Sequence, residues 1–136
     1  MPEGALSGFD GLYGLELLHV GEEEVRAQVL IGDQHRQPAG LVHGGVIAAM
    51  AETMASLATH LAVRDSDRVA QGLSNHASYL RPLVDGHIHA VAHRRHRGRT
   101  TWIWEVEVSD DAGRLCALVR MTIAVRPAPE GAQPGL

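Results

Sequence analysis

His43-Gly44-Gly45-Val46-Ile47-Ala48-Ala49-Met50-Ala51-Glu52-Thr53-Met54-Ala55-Ser56-Leu57-Ala58-Thr59-His60-Leu61-Ala62 contains no proline, and no glycine beyond the opening pair. From Gly44 to Ala62 it is apolar nearly all round, which reads as a buried helix and not as a surface one. Its six alanines would let sheet backbone approach closely. One carboxylate stands in it, and Glu is almost never fully buried without a partner. Ala48, Glu52, Ser56 and Thr59 fall along one line at helical spacing. Two readings stand for this polar strip. It is the wall of an active site, or it faces solvent or an oligomer interface.

On either side the pattern is that of strands. Leu15–Val20 and Glu24–Ile31 precede the helix, and the second alternates Val25, Ala27, Val29 and Ile31 with polar residues. The polar loop from Gly32 to Val42 leads into the helix, and Arg64–Asp67 leads out. Ala70–Leu80 follows, closed by Arg81-Pro82. His87–Arg97 comes after the Asp85-Gly86 turn, and Thr101–Ser109 after the Gly98-Arg99 break. Leu115–Val125 comes after the hairpin signal Asp110-Asp111-Ala112-Gly113. Gly4–Gly14 reads as a loose helical turn. The order predicts an α+β domain, an antiparallel sheet with one long helix packed on it. Residues 1–126 form the single domain, and 127–136, rich in Pro, Gly and Ala, read as a disordered tail.

Composition narrows the function. The 136 residues suit one domain, and 45% are apolar. The formal net charge of -4 argues against nucleic-acid partners. Cys116 is alone, so no disulfide framework is expected. Met1-Pro2-Glu3-Gly4 lacks the features of a secretory signal. No apolar segment is expected to reach the ~18 residues of a membrane span. A cytoplasmic protein without membrane partner is expected. The nine histidines show neither a helical HExxH pattern nor a Cys-His pair, so no metal and no cofactor is expected. His87, His89, His93 and His96 read as an exposed strand surface. Trp102 and Trp104, at strand period, read as packing residues.

His43-Gly44-Gly45 lies at the helix start, where unpaired backbone N–H groups and the positive end of the helix dipole collect. Glycines admit a ligand to the backbone. Such a terminus can polarise a carbonyl and hold the oxyanion formed on attack. The run from Gln37 to Thr53 as a whole resembles the signature of hotdog-fold acyl-CoA thioesterases. It is most similar to the branch of 4-hydroxybenzoyl-CoA, 1,4-dihydroxy-2-naphthoyl-CoA and enterobactin-pathway proofreading thioesterases. The resemblance continues through Tyr79-Leu80-Arg81-Pro82, Gly98-Arg99 and Gly113-Arg114-Leu115-Cys116, covering roughly residues 9 to 126.

The resemblance implies a curved antiparallel sheet wrapped around the helix, a homodimer joined edge to edge, and a homotetramer as a dimer of dimers. It implies hydrolysis of an aromatic or medium-chain acyl-CoA. Gln37 and His43 would orient the thioester, the Gly44 N–H would bind its carbonyl oxygen, and Glu52 would be nucleophile or general base. Relatives nearer phenylacetyl-CoA thioesterase carry Asp at the position of Glu52, so the Glu assigns the branch. Ser56 and Gly45 are expected at the substrate, as are His76, which falls where the relatives commonly have Asn, and Tyr79, where they can have His. Arg81, Gly98, Arg99 and Thr100 are candidates for the nucleotide end of CoA, whose phosphates need such partners.

Geometry adds a constraint of its own. Nine residues separate His43 from Glu52, about 13 Å along a helix. Groups acting on one carbonyl must lie within about 3.5 Å of it. With these roles, a second subunit must bring its own Glu52 to the helix start of the first. The competing readings are a non-catalytic acyl-CoA-binding hotdog domain and a hotdog dehydratase or hydratase. The second would want an Asp/His pairing that the sequence does not show.

Overall fold

The computed structural model describes residues 6–130. A short helix α1 (Gly8–Tyr13) precedes strands β1 (Glu16–Val20) and β2 (Glu24–Leu30). Helix α2 (Gly44–Val63) follows, then β3 (Arg68–Tyr79), β4 (His87–Arg97), β5 (Thr101–Ser109) and β6 (Leu115–Pro127). The expected elements are all present. The last strand runs two residues further than its apolar alternation, and the Ala128 N–H bonds the Asp67 carbonyl. The described chain continues past the expected boundary at 126, and residues 131–136 of the expected tail lie outside the described residues.

The six strands form one antiparallel sheet in the order β1-β2-β4-β5-β6-β3. α2 carries the chain across the inner face of the sheet, so β3 joins on the far side of β6 as an edge strand. Alternation on a pleated strand delivers one set of side chains to the helix. Val25 and Val29, Ile88, Trp104, Val106, Val119, Met121 and Ile123 are fully buried there. They pack against Met50, Ala51, Met54 and Ala55 of α2. Trp102 and Trp104 are core residues, as their period predicts. The Trp104 indole N–H donates to the Thr59 hydroxyl, which donates to the Ala55 carbonyl, so each polar atom is satisfied.

Two expectations about α2 need correction. By length and mean hydropathy, 1.5 over Gly44–Ser66, it does match a membrane span, yet half of it is buried on this domain's own sheet. It is a core helix. Nor is it buried all round. Gly45 and Glu52 are exposed, and Ala48, Ala49, Thr53 and Ser56 are half-buried. Glu52 is thus an open-face carboxylate in the single chain. Thr59 leaves the polar strip, because the sheet wraps the far half of the helix and Trp104 reaches it there.

Candidate active site

The loop before α2 is tied down by His35, which no motif or spacing marks out. His35 is buried, and its Nδ1 accepts the Gly32 N–H at 2.8 Å. Its Nε2 lies 2.7 Å from the Tyr13 carbonyl, which can only accept, so Nε2 carries the proton. The His35 carbonyl receives the His43 N–H at 2.7 Å. Arg36 closes the same loop through the Gly40 and Val84 carbonyls and the Asp85 carboxylate. His35→Ala leaves the Gly32 N–H and the Tyr13 carbonyl unpaired beside a cavity. We expect a loss of about 3 kcal/mol and a melting temperature about 10 °C lower, read by thermal and urea unfolding.

This loop sets three groups at the helix start. The Gln37 carbonyl oxygen Oε1 accepts the Ala39 N–H at 2.6 Å, leaving the amide NH2 free to donate outward. His43 caps its own helix, with Nδ1 accepting the Gly45 N–H at 2.8 Å, so a neutral ring carries its proton on Nε2. A Cβ on Gly45 would stand 2.9 Å from that Nδ1, so the cap requires glycine. The Gly44 N–H finds no acceptor among the described residues. The Tyr79 ring lies over Gly44, and its hydroxyl donates to the Gly44 carbonyl at 3.0 Å. Gln37, Gly44, Ile47, Tyr79, Arg81 and Leu83 line a groove of about 410 Å³.

A second groove, of about 490 Å³, is lined by Ala48, Ala49, Glu52, Asn75, Ala77 and Tyr79. Glu52 has neither an ion-pair nor a hydrogen-bond partner among the described residues. Asn75 belongs to this site. Its Nδ2 donates to the Ala48 carbonyl at 2.9 Å, and the residue lines the groove. Ser56 and Glu52 both approach Gly72 of β3. Beneath them Thr53 donates to the Asp10 carboxylate, as does the Tyr13 hydroxyl, pinning α1 to α2. Burial first, and then the Asp10 carboxylate, push the Tyr13 phenol well above its ordinary range.

The structure separates other residues that the sequence grouped. His76 pairs with Arg120 on the outer face of the sheet, away from α2, and Asn75 holds the inward position beside it. The cause is regular alternation, since His76 and Tyr79 are three apart on an unbroken stretch; a β-bulge lies upstream. The β3–β6 register shifts between Gly72 and Ser74, so Leu73 is an extra residue and the inward set passes from Gly72 to Asn75, Ala77 and Tyr79. Arg81 sits at the Tyr79 end of β3, and Gly98, Arg99 and Thr100 at the Arg68 end, where Arg68 donates to the Arg99 carbonyl. The two ends of this strand are roughly 36 Å apart. Within the basic run, Arg94 and Arg97 stack on Trp102, and Arg95 pairs with Glu105. His89 pairs with Asp111, whose carboxyl is held below its usual range mainly by that hydrogen bond. No group of three or more His, Cys, Asp or Glu placed to hold a metal occurs among the described residues.

A curved antiparallel sheet wrapped on one long helix, with a glycine-rich helix start and a carboxylate on the helix's open face, defines a hotdog domain. The family profile described as the thioesterase superfamily matches residues 39–117, and the chain belongs to that family. It is similar to 1,4-dihydroxy-2-naphthoyl-CoA hydrolase of Escherichia coli, 31% identical over 92% of this chain and 89% of that one. It is similar to the proofreading thioesterase EntH of Cronobacter turicensis, 36% identical over 82% of this chain and 81% of that one. Among solved structures it resembles a Staphylococcus aureus thioesterase at 27% identity, with a TM-score of 0.84 over 88% of this chain and 99% of that one. That protein has been solved with a glutamate and, separately, a glutamine replaced by alanine, fifteen positions apart. Gln37 and Glu52 have the same separation. The chain is a thioester hydrolase.

Proposed function

We propose that the protein hydrolyses an aromatic or medium-chain acyl-CoA to the free acid and CoA, with Glu52 as the catalytic carboxylate. The observation that carries this is the split site. The donors Gln37, His43 and Gly44 lie at one end of α2, and a carboxylate with no partner among the described residues lies about 13 Å along it. The open edge of β3 supplies a way to join them. It is 12 residues long, and its Leu73 and Tyr79 are 54% and 55% exposed. Such an edge is a template for pairing. Antiparallel pairing of two β3 edges sets each Glu52 toward the partner's helix start. It also carries the partner's 98–100 turn toward Arg81, where the nucleotide of CoA would find both. The same dimers are proposed to pair further into tetramers.

In this dimer the Gly44 N–H receives the carbonyl oxygen, with Gln37 and His43 Nε2–H orienting the ester. Glu52 then either attacks the carbonyl carbon, forming a mixed anhydride that water cleaves, or takes a proton from an attacking water. Both routes expel the CoA thiolate. The naphthoyl substrate in the name of the Escherichia coli relative supports the aromatic class. A CoA ester as substrate carries a cytoplasmic location with it. A CoA-release screen with benzoyl-, 4-hydroxybenzoyl- and hexanoyl-CoA tests the reading. We expect kcat/KM of at least about 10⁴ M⁻¹s⁻¹ on one of them. Tight binding without release on any would leave an acyl-CoA-binding domain instead.

A further inference from the structure

We propose that Gly72 is the residue that admits an aryl group to this site, by leaving empty the space beside Glu52 into which the ring of a benzoyl-type ester fits. The inference rests on the hydrolysis reading above and specifies its substrate class. Gly72 lies on the inner face of β3, paired with Ile123. Its φ is outside the left-handed region, so the backbone does not require glycine there. The packing does not require it either. A Cβ at this position would meet nothing closer than 3.8 Å. Glycine in a strand interior weakens the strand and marks a bulge or the close approach of a ligand; the bulge here inserts Leu73 and leaves Gly72 paired with Ile123 outside the left-handed region, so it does not itself call for glycine.

The boundaries of the space say what would enter. They are the Glu52 carboxylate oxygen at 3.8 Å, the Met121 methyl at 3.9 Å and the Ser56 hydroxyl at 4.0 Å. A carbonyl carbon within about 3.5 Å of that carboxylate is close enough for the first carbons of its acyl group to lie over Gly72. A linear chain puts one methylene there, whereas a ring joined directly to the carbonyl puts two ortho carbons there. Met121, on β6, offers the soft sulfur-bearing contact that aromatic rings favour. Ser56, one turn beyond Glu52, can hydrogen-bond a polar ring substituent. Gly72 touches neither the scissile bond nor CoA, so its effect falls on the choice of acyl group.

The test compares benzoyl-CoA with hexanoyl-CoA in wild type, Gly72→Ala and Gly72→Val. For Gly72→Ala we expect the benzoyl-to-hexanoyl ratio of kcat/KM to fall about 10-fold, and for Gly72→Val about 100-fold. Hexanoyl-CoA turnover by Gly72→Ala should stay within about threefold of wild type, since a flexible chain can turn its methylene aside where a ring fixed to the carbonyl cannot. That retained turnover also shows the variant folded with Glu52 in place. Gly72→Ala keeps the test alive if the valine variant does not fold, because its Cβ makes only ordinary contacts. An unchanged ratio in Gly72→Ala, or an equal fall on both substrates, overturns the proposal while leaving hydrolysis intact. Wild type releasing CoA from neither substrate overturns the hydrolysis reading, and the assignment of Gly72 with it.

Discussion

Glu52→Gln is expected to lower CoA release by about 10³-fold, in the middle of the range for a general base or an activated nucleophile. The substitution preserves volume and removes the only property both chemical routes need, a carboxylate able to attack or to accept a proton. The fold should not respond. Glu52 is exposed in the single chain and makes no ion pair or hydrogen bond among the described residues, and changes at such positions stay within about 0.5 kcal/mol. Loss of turnover with unchanged melting therefore assigns the effect to chemistry. Substrate binding is expected to persist, since the donors at the helix start are untouched. Wild-type turnover by Glu52→Gln would remove this carboxylate from the mechanism.

The second expectation concerns where each half of the site resides. Chains carrying Glu52→Gln and chains carrying Gln37→Ala with His43→Ala should each be inactive as homodimers. Co-expressed with different tags and purified as the mixed dimer, they should recover about half of wild-type activity. The reason is combinatorial. In the mixed dimer one site receives both lesions, and the other receives the intact Glu52 of one chain and the intact Gln37 and His43 of its partner. A site held within one chain predicts no recovery, because each chain would carry its own lesion. The gain over either parent is on the order of 10²-fold, large enough to separate the two cases in a CoA-release assay.

Much of this molecule can be read from the order of its residues, and the parts that cannot share a cause. β4 and β5 fall where the period-2 pattern puts them, because a half-buried strand must alternate. α2 begins at Gly44 as expected, since the glycine pair and the absence of proline leave little choice. Its burial was misjudged because alanine suits a core and an open helix face equally well. The angular line of Glu52 includes Thr59, but burial also depends on how far along the axis the sheet wraps. His76 and Tyr79 were expected together, although they are three apart and a regular strand puts such residues on opposite faces. Asn75 and Gly72 were passed over, yet an isolated glycine inside a strand pattern is itself a sign of a bulge or of close approach. His35 carries no local signal, because its three partners come together only when the loop, α1 and α2 are assembled.

The extra residue at Leu73 has a consequence for how such chains can diverge. Because Gly72 pairs with Ile123 and Ser74 with Thr122, excising Leu73 would leave both neighbours in register and every inward side chain inward. The distance in sequence between Gly72 and Asn75 is therefore free to change by one while their distance in space is not. A lineage could gain or lose a codon there without disturbing the groove. An insertion or deletion two positions further on, beyond Asn75, would exchange the faces of Ala77 and Tyr79 and empty the wall opposite Glu52. Length variation along this edge should accordingly gather at one point, and alignment gaps that fall past Asn75 should coincide with changed substrates.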